Sequence, residues 1–349
     1  MKLNKLGKSA ISISPMTIGC WPFGGGSYWG EQSQNDVDGV VHAAIEMGIN
    51  CFDTAEMYNA GESEKSLGLS LKGGYREKAI ICSKISPSNC RNVRKHCEES
   101  LKRLGIDYID IYIVHWPIHT HSVKHFTKDI DIINNPPTAE EAYSQMNELK
   151  QAGLIRSIGM SNFGISQMKQ VVNMGVQVDV NEMPYNILSR AIEKEIAPYC
   201  MENNISIIGS MGLQQGLLAG IYKTADDVPR NQAHSRHFAN DRGQGTSRHA
   251  EVGAEVEVFK AIDELHTLSK KLNIHIAQLS IAWILAKPFM CSTLVGSRTI
   301  DELKTNVEAC SFVLSNDVVA EIDRISLPLF KKLGSNPDYY ENLKNSRIF

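Results

Sequence analysis

Asp53, Tyr58, Lys84 and His115 are the residues whose types and spacing point to chemistry. Asp53 ends the apolar run INCFD, Lys84 ends AIICSK and His115 ends IDIYIVH, in steps of 31 residues, and Tyr58 follows Asp53 by five in DTAEMYN. A phenol with a pKa of about 10 exchanges protons poorly at neutral pH, and a neighbouring ammonium favours its phenolate. The spacing predicts that Asp53 positions Lys84, that Lys84 lowers the pKa of Tyr58, and that Tyr58 gives a proton to a carbonyl oxygen or takes one from an alcohol. Proton transfer of this kind contributes about 10²–10⁴-fold in rate. His115 is expected to orient the substrate oxygen. No side chain donates hydride, so this chemistry needs a redox cofactor.

Such convergence requires strands that end at one rim. Eight short apolar runs (16–20, 49–53, 79–84, 109–115, 155–161, 176–182, 205–210 and 292–297) alternate with amphipathic stretches at 36–47, 62–72, 91–104, 138–152, 165–174, 191–203, 254–286 and 299–310. Asn35 and Asp36 are candidate caps of the first helix, Thr138 with Glu141 fits a capping box, and Gly48, Gly105, Gly153 and Gly175 close four helices. The alternation predicts an α/β chain of βαβ units, a (β/α)₈ TIM barrel. An open doubly wound sheet would carry a GxGxxG turn after an early strand, and the sequence has none. Residues 3–14 read as a hairpin plugging the barrel bottom. Residues 116–137 and 211–253 are long loops after the fourth and seventh barrel strands, on the face where barrel sites lie. The whole of 1–349 reads as one domain, with 327–349 as a C-terminal tail.

Composition narrows the function further. Of 349 residues, 42% are hydrophobic and 21% charged, and the net charge of −3 gives no basic face for nucleic acid. No apolar run reaches the roughly 18 residues of a membrane span, and the first residues lack a signal-peptide core. Eight scattered cysteines, without a CxxC pair, point to a reduced cytoplasmic protein. Nothing in one sequence decides between a monomer and a homo-oligomer.

The strings FDTAEMYNAGESEKSLG, ICSKIS and IYIVHWP, continued by QAGLIRSIGMSNF, YNILSR and VGSRTIDELKTN, resemble the aldo-keto reductase family over roughly residues 3–325. By that resemblance Asp53, Tyr58, Lys84 and His115 fall on the family's catalytic tetrad. Ser161 and Asn162 fall where the family binds the nicotinamide carboxamide, and the dinucleotide lies extended across the barrel mouth. The resemblance implies an oxidoreductase moving hydride between NAD(P)(H) and a carbonyl or alcohol.

Two departures from the family pattern stand out. Glu182 occupies a position where glutamine is usual; a carboxylate accepts a hydrogen bond from the carboxamide but donates none unless protonated. Ser210, followed by Met211, Gly212 and Leu213, stands where an aromatic ring usually stacks on the nicotinamide. Gly296, Ser297 and Arg298 open a helix that continues through Glu302 to Asn306, an anion site by its position. Arg298 suits the 2′-phosphate of NADP(H), which is favoured, whereas Glu302 suits the free ribose of NAD(H).

Trp21, Trp29 and Trp116 follow the first and fourth strands and are expected to line the substrate pocket. With the polar lids they favour a polyhydroxylated substrate such as a sugar or its lactone. His115, His119 and His121 read HxxxHxH, but only the first lies on a strand, so no metal site is assigned. Two other readings stay open. One is an epimerase or eliminase that uses a tightly held nicotinamide transiently; the other is a non-catalytic cofactor-binding subunit.

Overall fold

The computed structural model describes residues 1–348. Eight parallel strands close a barrel: β3 (Met16–Gly19), β4 (Cys51–Asp53), β5 (Ile80–Ile85), β6 (Ile109–Val114), β7 (Ile155–Ser161), β8 (Val180–Pro184), β9 (Ser206–Ser210) and β10 (Met290–Val295), with β10 pairing back on β3. Each expected strand is present, and the barrel's apolar interior explains why the runs are nearly continuous rather than alternating. Ahead of it, β1 (Asn4–Lys5) and β2 (Ser12–Ile13) form the antiparallel hairpin. Leu6, Ile11 and Ile13 of this hairpin pack with Cys51, Cys82, Ile111, Ile113, Val180 and Ile208 inside the barrel, so the bottom is plugged. Cys51 and Cys82 thus serve as small core hydrophobes.

The surrounding helices include α1 (Gln34–Glu46), α2 (Glu62–Ser70) and α3 (Val93–Leu104). The cap of α1 is Ser33, whose hydroxyl accepts from the amide of Asp36, and not Asn35 or Asp36 as the sequence suggested. A hydroxyl one turn earlier reaches the orphan amide while Asp36 stays in the first turn, where its charge suits the dipole. Two short helices, α4 (Thr120–Val123) and α5 (Ile130–Asn134), lie within the loop after β6. Next, α6 (Ala139–Gln151) begins with the Thr138–Glu141 capping box, and α3 ends at Gly105 with φ 65°, a left-handed turn that glycine adopts without a Cβ clash. Beyond lie α7 (Ile165–Asn173), α8 (Ile196–Asn203), α9 (Glu255–Leu272), α10 (Ile276–Leu285), α11 (Ile300–Glu308) and α12 (Asn316–Leu333). The expected tail from 327 is therefore helical as far as Leu333, and its irregular part starts at Gly334. Among the described residues no helix is long and apolar enough to cross a membrane.

The irregular tail is not loose. The guanidinium of Arg347 makes two bonds to Asp338, 2.7 Å and 3.0 Å, and both side chains are buried. Arg347 also lies 3.6 Å over the ring of Trp116, and its carbonyl meets a ring nitrogen of His119 at 2.9 Å. From the loop after β9, Arg236 donates to the carbonyls of Leu333 and Asn336. The tail thereby straps together the two long loops at the C-terminal face.

Candidate active site

The site is assembled from the ends of consecutive strands. Register places Asp53 opposite Cys82, and Lys84 opposite Ile113. Asp53 and Lys84 therefore come from neighbouring strands one pleat apart. The Lys84 ammonium is fully buried and bonds the Asp53 carboxylate, the carbonyl of Thr54 at 3.2 Å and the phenol oxygen of Tyr58 at 3.3 Å. His115 directly follows β6 and continues its ladder through its amide to the carbonyl of Ile85. Its ring meets that of Tyr58 edge-on, with centroids 5.6 Å apart. The four residues singled out in the sequence thus lie in one contiguous cluster.

Tyr58 is held by its own loop. Asn59 and Ala60 both adopt left-handed backbone, φ 50° and 54°, which is costly for residues with a Cβ. The Asn59 amide offsets this by donating to the carbonyls of Trp21 at 3.0 Å and Phe23 at 2.9 Å. That bond ties the loop after β4 to the loop after β3, and Trp21 stacks on Tyr58 at 5.7 Å.

Charge in the cluster differs from the simple expectation. Burial by itself disfavours the Lys84 ammonium, but the carboxylates of Asp53 and Glu182 outweigh it and hold its pKa well above the usual lysine value. Glu182 Oε2 lies 3.5 Å from the Lys84 nitrogen. For Tyr58, burial is the largest influence and raises the pKa; Lys84 lowers it, while Asp53 and Glu182 raise it again. Lys84 thus acts in the expected direction, but burial outweighs it and the net direction is upward. Tyr58 is a phenol at neutral pH, poised to donate. His115 is pushed well below the usual histidine value by burial and then by Lys84, and is a neutral imidazole.

The residues assigned to cofactor binding fall into two groups. In the first, Ser161 pairs in register with Glu182, and Asn162 donates to the carbonyl of His115 at 3.1 Å and to the Ser161 hydroxyl at 2.9 Å. Ser210 ends β9, Met211 takes a left-handed turn with φ 60°, and its carbonyl accepts from Asn186. A side chain at Gly212 would run into Thr293 and Leu294, and Leu213 follows it on the same loop. In the second group, Asn306 bonds the buried hydroxyl of Ser297 at 3.1 Å beneath the start of α11, next to exposed Gly296. Arg298 turns its guanidinium onto the carbonyls of Trp29 and Glu31, while the Glu302 carboxylate accepts from the Arg298 amide at 2.7 Å.

The three tryptophans separate. Trp21 and Trp29 meet edge-on at 5.4 Å beside Tyr58, whereas Trp116 lies under Arg347 and is nearly covered by the tail. Other aromatic residues gather beside Trp21, among them one of the two tyrosines of the C-terminal tail. Tyr28 stacks on Trp21 at 5.0 Å, His234 faces Tyr28 at 6.2 Å, and Tyr340 meets His234 at 5.0 Å. Phe126 stands 6.3 Å from His115. These side chains come from four distant segments, so no local pattern could have grouped them.

Buried polar atoms without a partner mark where a ligand would fit. Among the described residues they include Asp53 Oδ2, Glu182 Oε2 and His115 Nδ1, all at the mouth of the barrel. Together with Ser161, Asn162 and the Ser297 end of α11, they suit a nicotinamide dinucleotide with its reactive ring near Tyr58. Cys82 also lies with Asp53 and Glu182 within 4.8 Å, but the Lys84 ammonium, bonded to Asp53 and 3.5 Å from Glu182, opposes a divalent cation there.

A closed parallel barrel with this cluster at its C-terminal rim defines a TIM-barrel oxidoreductase. Residues 15–327 match the model of the aldo/keto reductase family, and the chain belongs to that family, NAD(P)-dependent oxidoreductases acting on carbonyls. It is 32% identical to the NADH-specific methylglyoxal reductase of Escherichia coli over 340 residues, 90% of this chain and 95% of that protein. It is 28% identical to the aldo-keto reductase YhdN of Bacillus subtilis, covering 93% of each. Among solved structures, the thermostable aldo-keto reductase Tm1743, in complex with the inhibitor epalrestat, superposes with a TM-score of 0.71 at 25% identity, covering 93% of this chain and all of that one.

Proposed function

We propose that this enzyme reduces a polyhydroxylated carbonyl, a sugar or its lactone, and oxidises the corresponding alcohol, with Tyr58 as general acid and base. The observation that carries the reading is the 3.3 Å approach of the Tyr58 phenol to a fully buried Lys84 at the barrel mouth. A bound nicotinamide supplies or accepts the hydride. Asp53 fixes Lys84, Lys84 donates toward the phenol oxygen, and Tyr58 delivers its proton to the substrate oxygen. The neutral His115 imidazole orients that oxygen without competing as an acid. Ser161, Asn162 and Glu182 hold the carboxamide end of the dinucleotide.

The rings of Trp21, Tyr28, His234 and Tyr340 support the substrate class. Aromatic faces beside polar edges suit the C–H faces and hydroxyls of a sugar. For the dinucleotide, NADP(H), the favoured form, draws on Arg298, and NAD(H) draws on Glu302. All eight cysteines are free, which supports a reducing, cytoplasmic setting.

The test is turnover of aldoses, ketoses, lactones and flat apolar ketones with NADH and with NADPH. Activity on polyhydroxylated carbonyls is expected. Activity confined to the flat ketones would remove the substrate class, and no turnover with any carbonyl would remove the enzyme reading.

A further inference from the structure

Lys84 bears two buried carboxylates where one suffices to position it. Asp53 bonds it directly, and Glu182 Oε2 stands 3.5 Å away, both carboxylates being almost wholly buried. With all three ionised the cluster carries one uncompensated negative charge in a low-dielectric interior, which is costly. Asp53 Oδ2 and Glu182 Oε2 have no hydrogen-bond partner to spread that charge. Two additions can neutralise it: a proton, or a cation arriving from the mouth.

The nicotinamide ring is such a cation in its oxidised form and is uncharged when reduced. We propose that Glu182 couples the redox state of the bound nicotinamide to one proton: the ionised carboxylate favours the oxidised ring, and the protonated carboxyl favours the reduced one. The inference rests on the reading above that the ring lies beside Ser161, Asn162 and Glu182. Oxidised cofactor binding to the protonated cluster expels that proton to solvent. Reduced cofactor binding retains it, and the carboxyl then donates to the carboxamide oxygen as a glutamine would.

Several ionisable groups surround Glu182. Asp53 ends β4 and bonds the Lys84 ammonium. Cys82 and Lys84 on β5 are both held well above their usual values, Tyr58 is raised by burial, and His115 is held well below its usual value. The flanking strands β7 and β9 end in Ser161 and Ser210, which do not titrate. Burial and the Asp53 charge push Glu182 up to about 8.

The experiment measures dissociation constants of NAD⁺, NADH, NADP⁺ and NADPH by fluorescence at pH 6.5 and 9.5, with proton release on oxidised-cofactor binding followed by calorimetry in two buffers. For whichever pair binds, the ratio of oxidised to reduced dissociation constants should fall at least about tenfold over that range, the limit being tenfold per pH unit for one proton. Binding of the oxidised form at pH 7 should release a fraction of a proton. Glu182→Gln, which keeps the shape and removes the charge, should flatten the ratio to within about threefold and abolish the release. A flat ratio with no proton release in the wild type, or equal slopes in both proteins, would overturn the coupling alone. Failure of the wild type to bind any of the four would overturn the nicotinamide reading as well.

Discussion

Glu182 stands 3.5 Å from the Lys84 ammonium, close beside the Asp53 carboxylate that bonds the same cation, so two acidic groups face the lysine that meets Tyr58. A glutamine at 182 would leave Lys84 paired once and more able to stabilise a phenolate. Burial first, and then any charge on Asp53 and Glu182, raises the Tyr58 pKa, which suits donation to a carbonyl.

Stability should report this charge. Glu182 is raised from about 4.5 to about 8, so its favourable contribution is complete below the lower value and is lost as pH rises through the upper one. The wild type should therefore lose about 1–3 kcal/mol relative to Glu182→Gln between pH 5 and 9, read by chemical unfolding. Parallel pH profiles for the two proteins would contradict the burden assigned to that carboxylate.

Removing the cation should be worse than removing either anion. Lys84→Met leaves two facing carboxylates unbalanced, and a loss of about 3–5 kcal/mol in stability is expected unless they take up protons. Turnover should fall by about 10²-fold or more, with the unfolding midpoint recovering at low pH. Near wild-type turnover at pH 7 would show that Tyr58 does not depend on Lys84.

Tail strapping predicts a different phenotype. Arg347→Ala strands the buried Asp338 carboxylate and uncovers Trp116, so about 3–5 kcal/mol of tail docking should be lost. Limited proteolysis should then cut within 334–348, and KM for the carbonyl should rise more than kcat falls. Unchanged protease resistance would place the strap's anchorage elsewhere, in the Arg236 contacts.

Cofactor choice turns on Arg298 and Glu302. Glu302→Gln can keep the bond from the Arg298 amide but removes a carboxylate charge beside the site for a 2′-phosphate. NADPH should bind about 5–20-fold more tightly and NADH within about twofold of wild type, by fluorescence titration. Equal changes for both would mean that neither residue reads the 2′ position.

The barrel and the cluster were legible because both follow from strand order. Eight apolar runs with helices between them close in one way, and a polar residue ending each of three consecutive runs must reach the same rim. The net direction of the Tyr58 shift was not legible, since it depends on how deeply the phenol is buried and on Glu182 arriving from a strand nearly a hundred residues beyond Lys84. Nor was the fate of Trp116: its indole is covered by Arg347, and nothing in either local sequence indicates that contact. Tyr28 was not singled out, because it is an ordinary loop residue until His234 packs beside it and Tyr340 of the tail beside His234.

Central to the account is proton delivery by Tyr58. Tyr58→Phe removes only the phenol oxygen and keeps the ring under Trp21, so cofactor affinity should hold within about threefold while single-turnover carbonyl reduction slows by about 10²–10⁴-fold. Reduction at the wild-type rate in that variant, with cofactor bound, would contradict the assignment.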